Sequence, residues 1–242
     1  MSDLESHLRD LVVANRVLAN EGIVDSLGHV SIRHPERADR YFMSRMRSPE
    51  LVTREDIMEF DLDSNPIDQQ GRDIYNERFI HGSIYAARPD VMAVVHNHNQ
   101  EILPFTISKK VRLRPVFHVA ATMGNEVPVW DIHDRFGDTD LLVKTSDQGK
   151  DLARCMGCCA AVLMRGHGAT IAEATLAEAL RTSINLKINA KVQAAALLLN
   201  DGDVAYLSDG EIKEAAKMAK VPKNIRRFWE YHSRRAAVEP TK

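Results

Sequence analysis

The sequence contains the stretch Val91-Met92-Ala93-Val94-Val95-His96-Asn97-His98, an apolar run that ends in two histidines separated by one residue. The apolar run predicts a buried strand over residues 91–96. Because alternate side chains of a strand point to the same side, we expect His96 and His98 to converge on one point. Histidine nitrogen is a common metal ligand, so two converging imidazoles indicate the beginning of a metal site.

A third histidine stands in a similar position later in the chain. His167 lies between Gly166 and Gly168, shortly after the apolar run of residues 160–164. Flanking glycines allow a sharp bend and a close approach of the backbone. A His-x-His pair alone is a weak signal, since such histidines are often only hydrogen-bonded loop residues. Three nitrogen ligands would leave coordination positions for water or substrate, as a catalytic metal requires.

Composition and charge limit the classes of partner. The chain has 242 residues, of which 44% are hydrophobic, so we expect one domain over residues 1–242 with a substantial core. A net charge of −2 gives no electrostatic basis for binding nucleic acid or an anionic membrane surface. The apolar stretch at residues 194–199 is far too short to span a bilayer. We therefore expect neither nucleic acid nor membrane as a partner.

The cysteines bear on the cellular compartment. Cys155, Cys158 and Cys159 are odd in number, and no second pair exists to complete a zinc knot. We interpret them as reduced, partly buried thiols rather than as a functional cluster. The first residues also lack the basic start and apolar run of a signal peptide, so we expect a cytoplasmic protein.

The spacing of apolar residues predicts the order of helices and strands. Helices are predicted over residues 4–20, 76–87, 176–199, 208–220 and 225–235. Strands are predicted over residues 28–33, 41–44, 57–62, 91–96 and 160–164. We interpret the last strand, the Gly-His-Gly turn and the helix from residue 176 as a second βα unit. Interleaved strands and helices indicate a layered α/β domain, and the short early strands argue against a purely parallel sheet.

Glu77 lies upstream of the three histidines and adds a fourth potential metal ligand to the pattern. Glu77 lies at the start of a predicted helix, where the helix dipole favours an anion, and alone it would be interpreted as an exposed capping residue. With the histidines, however, several segments resemble the class II aldolase/adducin superfamily over nearly the whole chain. These segments are residues 77–81, 84–85, 88–90, 93–98 and 166–168. The resemblance implies a three-layer αβα fold around a central mixed, largely antiparallel sheet.

The resemblance also implies a metal centre. In catalytic members three histidines bind a divalent metal, and a glutamate acts as a ligand or as the acid/base. Carried over by position, the ligands are His96, His98, His167 and Glu77, with Glu77 also a candidate catalytic residue. Adducin-like members lack these ligands, whereas this chain keeps all four. We expect one divalent metal per subunit, Zn²⁺ or Mn²⁺, with Fe²⁺ as an alternative.

The phosphate-binding positions of the sugar-phosphate aldolases are changed in this chain. Those enzymes use an Asn, a Thr-Gly pair and a Ser-Ser pair, and His29, Ser44-Arg45 and Tyr75-Asn76 stand here instead. The change removes the small residues that cradle a phosphate. An arginine offers a planar fork that suits a carboxylate. The residues expected to contact substrate are His29, Ser44, Arg45 and Arg47, the last as the weaker option.

Residues 48–53, 77–82 and 136–143 resemble a decarboxylase branch of the superfamily. This branch acts on hydroxylated aromatic or pyridine carboxylates, as in the 3-hydroxy-2-methylpyridine-4,5-dicarboxylate decarboxylase type. The resemblance therefore implies a metal-dependent lyase with a small-molecule carboxylate substrate. Loss of CO2 leaves negative charge on the ring, which a divalent cation at the adjacent oxygen can stabilise. The ring carbon must then receive a proton. Glu77 is the first candidate for the proton donor, His118 the second, and the C-terminal aromatic Tyr231 a third candidate catalytic residue.

Three other functions remain open at this stage. One is a retro-aldolase that acts on a non-phosphorylated hydroxy or keto acid. Another is an Fe(II) oxygenase on the same scaffold, since three histidines also suit iron. The least favoured is a non-catalytic, adducin-like assembly module, because the chain keeps all four ligands. The resemblance further implies a homo-oligomer, typically a tetramer, with sites at the subunit interfaces.

Overall fold

The structure is a computed structural model that describes residues 3–199 and 202–236. Its α-helices are α1 (Asp3–Asn20), α2 (Arg78–Ala87), α3 (Leu103–Ile107), α4 (His133–Phe136), α5 (Ser146–Met156), α6 (Leu176–Leu197), α7 (Asp209–Ala219) and α8 (Pro222–Ala236). Its strands are β1 (His29–Arg33), β2 (Arg40–Ser44), β3 (Ile57–Asp61), β4 (Ala93–Asn97), β5 (Val129–Trp130), β6 (Ala161–Met164) and β7 (Gly168–Glu173). Short 3₁₀ turns cover Pro49–Leu51, Arg54–Asp56 and His118–Met123.

The strands form one seven-stranded sheet in the order β3-β2-β1-β4-β7-β6-β5. Every neighbouring pair is antiparallel except β5 and β6, which are parallel. The expectation of a mixed, largely antiparallel sheet is therefore confirmed. In its centre, His96 of β4 is paired with His29 of β1 on one side and with Thr170 of β7 on the other. This register fixes the neighbours of the first predicted metal ligand.

Helices cover both faces of the sheet, which confirms the three-layer αβα architecture. Successive side chains of the strands point to opposite faces of the sheet, so the core forms two clusters, one on each face. Val95 and Ile171 belong to the cluster that includes residues of α1 and α6. Val94 and Ala172 belong to the cluster that includes residues of α2 and α5. His96 is two residues from Val94 in the same strand, so its side chain points to the same face, toward the layer of α2.

The prediction of a second βα unit was wrong. After β6 the chain turns back at once and forms β7, which pairs antiparallel with β6 before α6 begins. Gly166 adopts φ +64° in this turn, and the His167 amide donates to the Met164 carbonyl at 3.0 Å. Every residue of β7 is buried, and its small and polar residues lack the alternating pattern of a half-buried strand. His167 therefore lies in the turn of a hairpin.

The predicted boundaries near the site also needed correction. Helix α2 begins at Arg78 rather than at residue 76, so Glu77 occupies its N-cap position. Strand β4 covers residues 93–97 rather than 91–96, so His96 is inside the strand and His98 directly follows it. The amphipathic helix α5, which a Thr145–Gln148 capping box begins, was not predicted, and neither was β5.

Other sequence expectations concern the surface. Cys155 and Cys159 are partly buried free thiols, as expected, whereas Cys158 is exposed. In the part of the chain that the structure describes, no helix combines the length and apolar character needed to cross a membrane. The single domain over residues 1–242 stays a prediction, since both termini lie outside the described residues.

Gly168 provides a test of the β4–β7 contact. A Cβ atom at this position would lie 2.0 Å from the Asn97 carbonyl oxygen, so Gly168→Ala must push the two strands apart. We expect the variant to lose about 1–3 kcal/mol of unfolding free energy, as overpacking usually costs. Urea denaturation measures the loss. The matched control is Gly210→Ala in α7, where the nearest atom is 3.9 Å away and stability should be kept or slightly raised. Equal stability of Gly168→Ala and wild type would contradict the close approach.

Candidate metal centre

Four side chains from separate parts of the chain converge at one point. The ligand atoms of Glu77, His96, His98 and His167 all lie within 4.8 Å of one another. The Nε2 atom of His98 is 3.0 Å from His96 Nε2 and 2.9 Å from His167 Nε2. Glu77 Oε2 is 3.5 Å from His96 Nε2 and 3.6 Å from His167 Nε2. Metal–ligand bonds of about 2.0–2.2 Å separate neighbouring ligand atoms by similar distances.

The four candidate ligands lie where three segments of the fold meet: the end of β4, the β6–β7 turn and the start of α2. His96 lies at the end of β4, His98 directly follows it, and His167 occupies the β6–β7 turn. Glu77 stands at the N-cap of α2, yet its side chain makes no capping hydrogen bond. The carboxylate is 7% exposed and faces the histidines instead. The interpretation of Glu77 as a solvated capping residue therefore does not describe this structure.

Hydrogen bonds to the remaining polar atoms orient the ligands. His167 Nδ1 donates to the Leu141 carbonyl at 3.0 Å, so Nε2 is the nitrogen that faces the cluster. His96 Nδ1 lies 3.2 Å from Thr170 Oγ1. Glu77 Oε1 accepts the amide of Val143 at 3.1 Å, so only Oε2 faces the cluster. Such outer partners fix the direction of the lone pairs that a metal would use.

The electrostatics of the cluster also suit a cation. Burial, followed by the neighbouring histidines, lowers the pKa of His98 to about 3, and burial is the main cause of the lowered pKa of His96. Burial acts to raise the pKa of Glu77, but the charges and hydrogen bonds of His96 and His167 outweigh it and hold that pKa well below its usual range. The result is an ionised carboxylate beside three imidazoles. Three nitrogens and one anionic oxygen are a donor set that fits a divalent metal.

His29, a predicted substrate contact, lies beside the cluster. Its ring is 3% exposed, and its centroid is 4.6 Å from that of Tyr75 and 5.0 Å from that of His96. Its Nδ1 atom is 2.6 Å from Nε2 of His81 on α2. Burial lowers the pKa of His81 to about 3, so this imidazole is neutral.

A hydrogen-bonded network behind His29 was not predicted from the sequence. His81 Nδ1 is 2.6 Å from Ser31 Oγ, which in turn is 2.8 Å from the Tyr85 hydroxyl. The sequence contains only part of the information needed to predict this network. Ser31 alternates with His29 on β1, and His81 and Tyr85 are spaced one turn apart on α2, but nothing in the sequence indicates that the two elements face each other.

The predicted carboxylate-binding arginines form a second polar group. Arg45 Nε donates to Asp56 Oδ1 at 2.6 Å, and Arg47 Nη1 donates to the same oxygen at 3.4 Å. The Tyr75 hydroxyl donates to the Arg47 carbonyl and accepts its amide at 3.2 Å. Both arginine side chains remain about one-third exposed, at 32% and 34%. Ser44 is buried near Tyr75, and its hydroxyl satisfies hydrogen-bond geometry with no described group.

Two candidate catalytic residues lie apart from the cluster. His118 is exposed at the first residue of a 3₁₀ turn that packs against α6 and α7. Tyr231 is 57% exposed on α8, where its hydroxyl lies 3.3 Å from Arg235 Nη1. Neither has a hydrogen bond or ring contact with the four ligands in the described part of the chain. Their catalytic roles stay predictions.

Comparison with known proteins bears on this geometry. The chain matches the family model "Class II Aldolase and Adducin N-terminal domain" over residues 9–194. The chain belongs to this class II aldolase and adducin family. The resemblance inferred from the Glu, His-x-His and Gly-His-Gly segments is thereby confirmed.

Two proteins with similar sequences are named as decarboxylases. The chain is 32% identical over 244 residues to Decarboxylase tropJ of Talaromyces stipitatus, covering 92% of this chain and 91% of the relative. It is 29% identical over 221 residues to 3,4-dihydroxyphthalate decarboxylase of Arthrobacter keyseri, covering 82% and 85%. The structure of L-fuculose 1-phosphate aldolase from Glaciozyma antarctica matches with a TM-score of 0.75 at 22% identity, covering 98% and 92%. That structural likeness supports the class II aldolase fold.

Removal of one ligand tests the metal centre. His98→Ala takes away the nitrogen that lies within 3.0 Å of both other histidines. We expect its affinity for Zn²⁺ and Mn²⁺ to fall by more than the 10- to 100-fold that loss of an outer partner causes. Titration calorimetry of the metal-free protein measures the affinity. His133→Ala, at an exposed histidine outside the cluster, should bind as wild type does. Unchanged affinity in His98→Ala would rule out this site.

The buried histidines predict a pH dependence of the metal-free protein. In the unfolded chain His81 titrates near 6.5, whereas in the folded chain its pKa is about 3. Below pH 6.5 the unfolded state therefore binds a proton that the folded state does not. The unfolding free energy should fall by about 1.4 kcal/mol per pH unit for this residue alone. Urea denaturation with EDTA between pH 7.5 and 5 measures the slope before carboxylates begin to titrate.

The matched variants separate the contribution of one histidine. His81→Gln should make the slope shallower by about one proton, while Ser183→Ala, which removes a buried group that does not titrate, should leave the slope unchanged. A flat profile between pH 6.5 and 5 would contradict the neutral state of the buried imidazoles.

Proposed function

We propose that the protein is a divalent-metal-dependent lyase that removes CO2 from a hydroxylated aromatic or heteroaromatic carboxylate. The observation that carries the proposal is the convergence of Glu77 and three histidines within 4.8 Å. It occurs in a chain that is 32% and 29% identical to two proteins named as decarboxylases. One of these is named for a dihydroxylated aromatic dicarboxylate, which supports the proposed substrate class.

Glu77, His96, His98 and His167 would hold one divalent ion per subunit. Nitrogen and oxygen ligands suit Zn²⁺ and Mn²⁺, which we favour, with Fe²⁺ as the alternative. When bound, the ion supplies positive charge beside the substrate oxygen that receives the electron density released with CO2. Glu77 contributes the only carboxylate of the described cluster. Imidazole binds a metal in its neutral form, so a divalent ion held with one carboxylate would keep a net positive charge that attracts an anionic substrate.

Recognition of the substrate is assigned to the polar groups near the cluster. Arg45 is held through Nε by the buried Asp56, and its side chain is about one-third exposed at 32%, which leaves it accessible to a carboxylate. Arg47 shares Asp56 more weakly, at 3.4 Å, and is the second option. His29 and Ser44 would contact the polar edge of the ring. The unpartnered hydroxyl of Ser44 supports this role, since a ligand oxygen could satisfy it.

The chemistry breaks one carbon–carbon bond and moves two protons. When CO2 leaves, the bonding pair stays with the ring system and its charge is shared with the adjacent oxygen, where a bound cation would stabilise it. Glu77, which is ionised, accepts the proton of the adjacent hydroxyl and returns it to the ring carbon that lost CO2. The phenolate product then takes one proton from solvent, which balances the reaction. His118 is the second candidate donor, and Tyr231 the third.

Both of these residues would act from a neighbouring subunit. We propose a homotetramer with active sites at its interfaces, in which the exposed His118 and Tyr231 could approach another subunit's metal centre. We further propose that the enzyme is cytoplasmic and that residues 1–242 form one domain.

A substrate screen tests the proposed function. The Zn²⁺- and Mn²⁺-loaded protein is incubated with hydroxybenzoates, dihydroxyphthalates and hydroxypyridine carboxylates, and CO2 is measured by mass spectrometry. We expect metal-dependent CO2 release from at least one of them. Glu77→Gln should lower kcat by about 10²- to 10⁴-fold, because the amide cannot carry the proton. Glu214→Gln, an exposed residue of α7, is the matched control and should react as wild type does.

Other outcomes of the screen would replace the proposal. Formation of an aldehyde or pyruvate without CO2 would identify a retro-aldolase. Oxygen consumption with the Fe²⁺-loaded protein would identify an oxygenase. A purified protein that binds no metal and turns over no substrate would identify an adducin-like module.

A further inference from the structure

Four buried side chains form a continuous hydrogen-bonded chain that ends beside the metal centre. Tyr85 Oη is 2.8 Å from Ser31 Oγ, Ser31 Oγ is 2.6 Å from His81 Nδ1, and His81 Nε2 is 2.6 Å from His29 Nδ1. The four residues are at most 3% exposed. The hydrogen-bonded residues come alternately from α2 and β1, and none of them is one of the four candidate ligands.

The proton of Tyr85 decides the direction of these hydrogen bonds. Burial raises the pKa of this phenol, so its hydroxyl keeps its proton. Among the described side chains, Ser31 Oγ is the hydrogen-bond partner of that hydroxyl, and the nearby Val94 amide can only donate. Tyr85 therefore donates to Ser31. The opposite direction would leave a buried phenol proton without an acceptor, which is strongly unfavourable.

The direction of this first hydrogen bond fixes which atom donates at Ser31 and at His81. Ser31 has one hydroxyl proton and accepts from Tyr85, so it donates its own proton to His81 Nδ1. His81 is a neutral imidazole whose Nδ1 accepts, so its hydrogen is on Nε2. That hydrogen is donated to His29 Nδ1. Because His29 Nδ1 accepts, the ring hydrogen of His29 must be on Nε2.

The Nε2 atom of His29 lies on the side of the ring away from His81. It makes no hydrogen bond to any residue that the structure describes, and it is not among the fully buried polar atoms without a partner. His29 is the cross-strand partner of His96, and its ring contacts both His96 and Tyr75. The described residues therefore leave this N–H group free for a ligand, on a ring that lies against His96 and Tyr75.

We infer that Tyr85, Ser31 and His81 set the tautomer of His29, so that His29 acts as a hydrogen-bond donor, and not as a base, toward an anionic oxygen of the ligand. The identity of that oxygen, on a carboxylate or a phenolate, rests on the proposed function. Tyr85, Ser31 and His81 are positioning residues, whereas His29 touches the substrate. A fixed donor is worth more in the transition state, where charge on the acceptor oxygen grows.

Nitrogen NMR measures the tautomer directly. The Zn²⁺-loaded protein is labelled with ¹⁵N-histidine, and the His29 resonances are identified by their loss in His29→Gln. We expect a protonated Nε2 and a bare Nδ1 in wild type. Ser31→Ala removes the hydroxyl that donates to His81, so both tautomers of His29 should appear. Its kcat should fall about tenfold with KM within roughly twofold of wild type, since the donor acts mainly in the transition state.

Two variants control for the loss of a buried hydroxyl. Ser31→Thr keeps the hydroxyl and should restore both the single tautomer and kcat. Ser183→Ala removes another fully buried hydroxyl, which donates to a carbonyl inside α6, and should change neither measurement.

The outcomes separate this inference from the proposed function. A proton on Nδ1 in wild type overturns it, as does a Ser31→Ala variant whose tautomer or kcat is unchanged. If no carboxylate in the screen releases CO2, decarboxylation is rejected but the donor role is still tested by adding salicylate to the Zn²⁺-loaded protein. A shift of the His29 Nε2 resonance on binding supports the donor role, and binding without a shift overturns it.

Discussion

The close packing of β7 against β4 is the constraint on which the metal centre depends. The two strands approach so closely at Gly168 that a Cβ atom there would lie 2.0 Å from the Asn97 carbonyl oxygen. This approach brings the turn that carries His167 beside the end of β4, where His98 Nε2 lies 2.9 Å from His167 Nε2. A side chain at position 168 would separate the strands and, with them, two of the histidines. The glycine is thus a geometric requirement of the site.

The site concentrates polar groups at one end of the sheet without large exposure to solvent. Glu77 is an ionised carboxylate that solvent reaches little, with the Val143 amide on one oxygen and the histidines near the other. A buried anion of this kind is costly unless it is compensated, and a divalent ion bound by the four ligands would provide that compensation. The arginines near Tyr75 are held differently, because Asp56 already neutralises part of their charge. Their partial exposure suits recognition of a substrate that enters and leaves.

Several features of the fold could not be predicted because local patterns contain no information on tertiary packing. Strand β7 was missed because it is buried throughout and is built from small residues without alternation. His167 was nevertheless correctly singled out, since its glycine neighbours indicate a tight turn whichever element follows. The chain from Tyr85 to His29 was missed for another reason. Its hydrogen bonds join residues 50 to 54 positions apart, so they exist only when α2 packs on β1.

The sequence by itself determined what depends on local periodicity and on residue type: the convergence of His96 and His98, the α/β layering and the family. Those properties follow from the two-residue repeat of a strand and from motifs that survive in the chain without reference to their surroundings. Only the tertiary structure decided that Glu77 faces the histidines instead of capping α2, and that His81 lies behind His29. The physical reason is that strand register and helix packing, rather than neighbours along the chain, set the distances between side chains such as Glu77 and the Val143 amide, which are 66 residues apart.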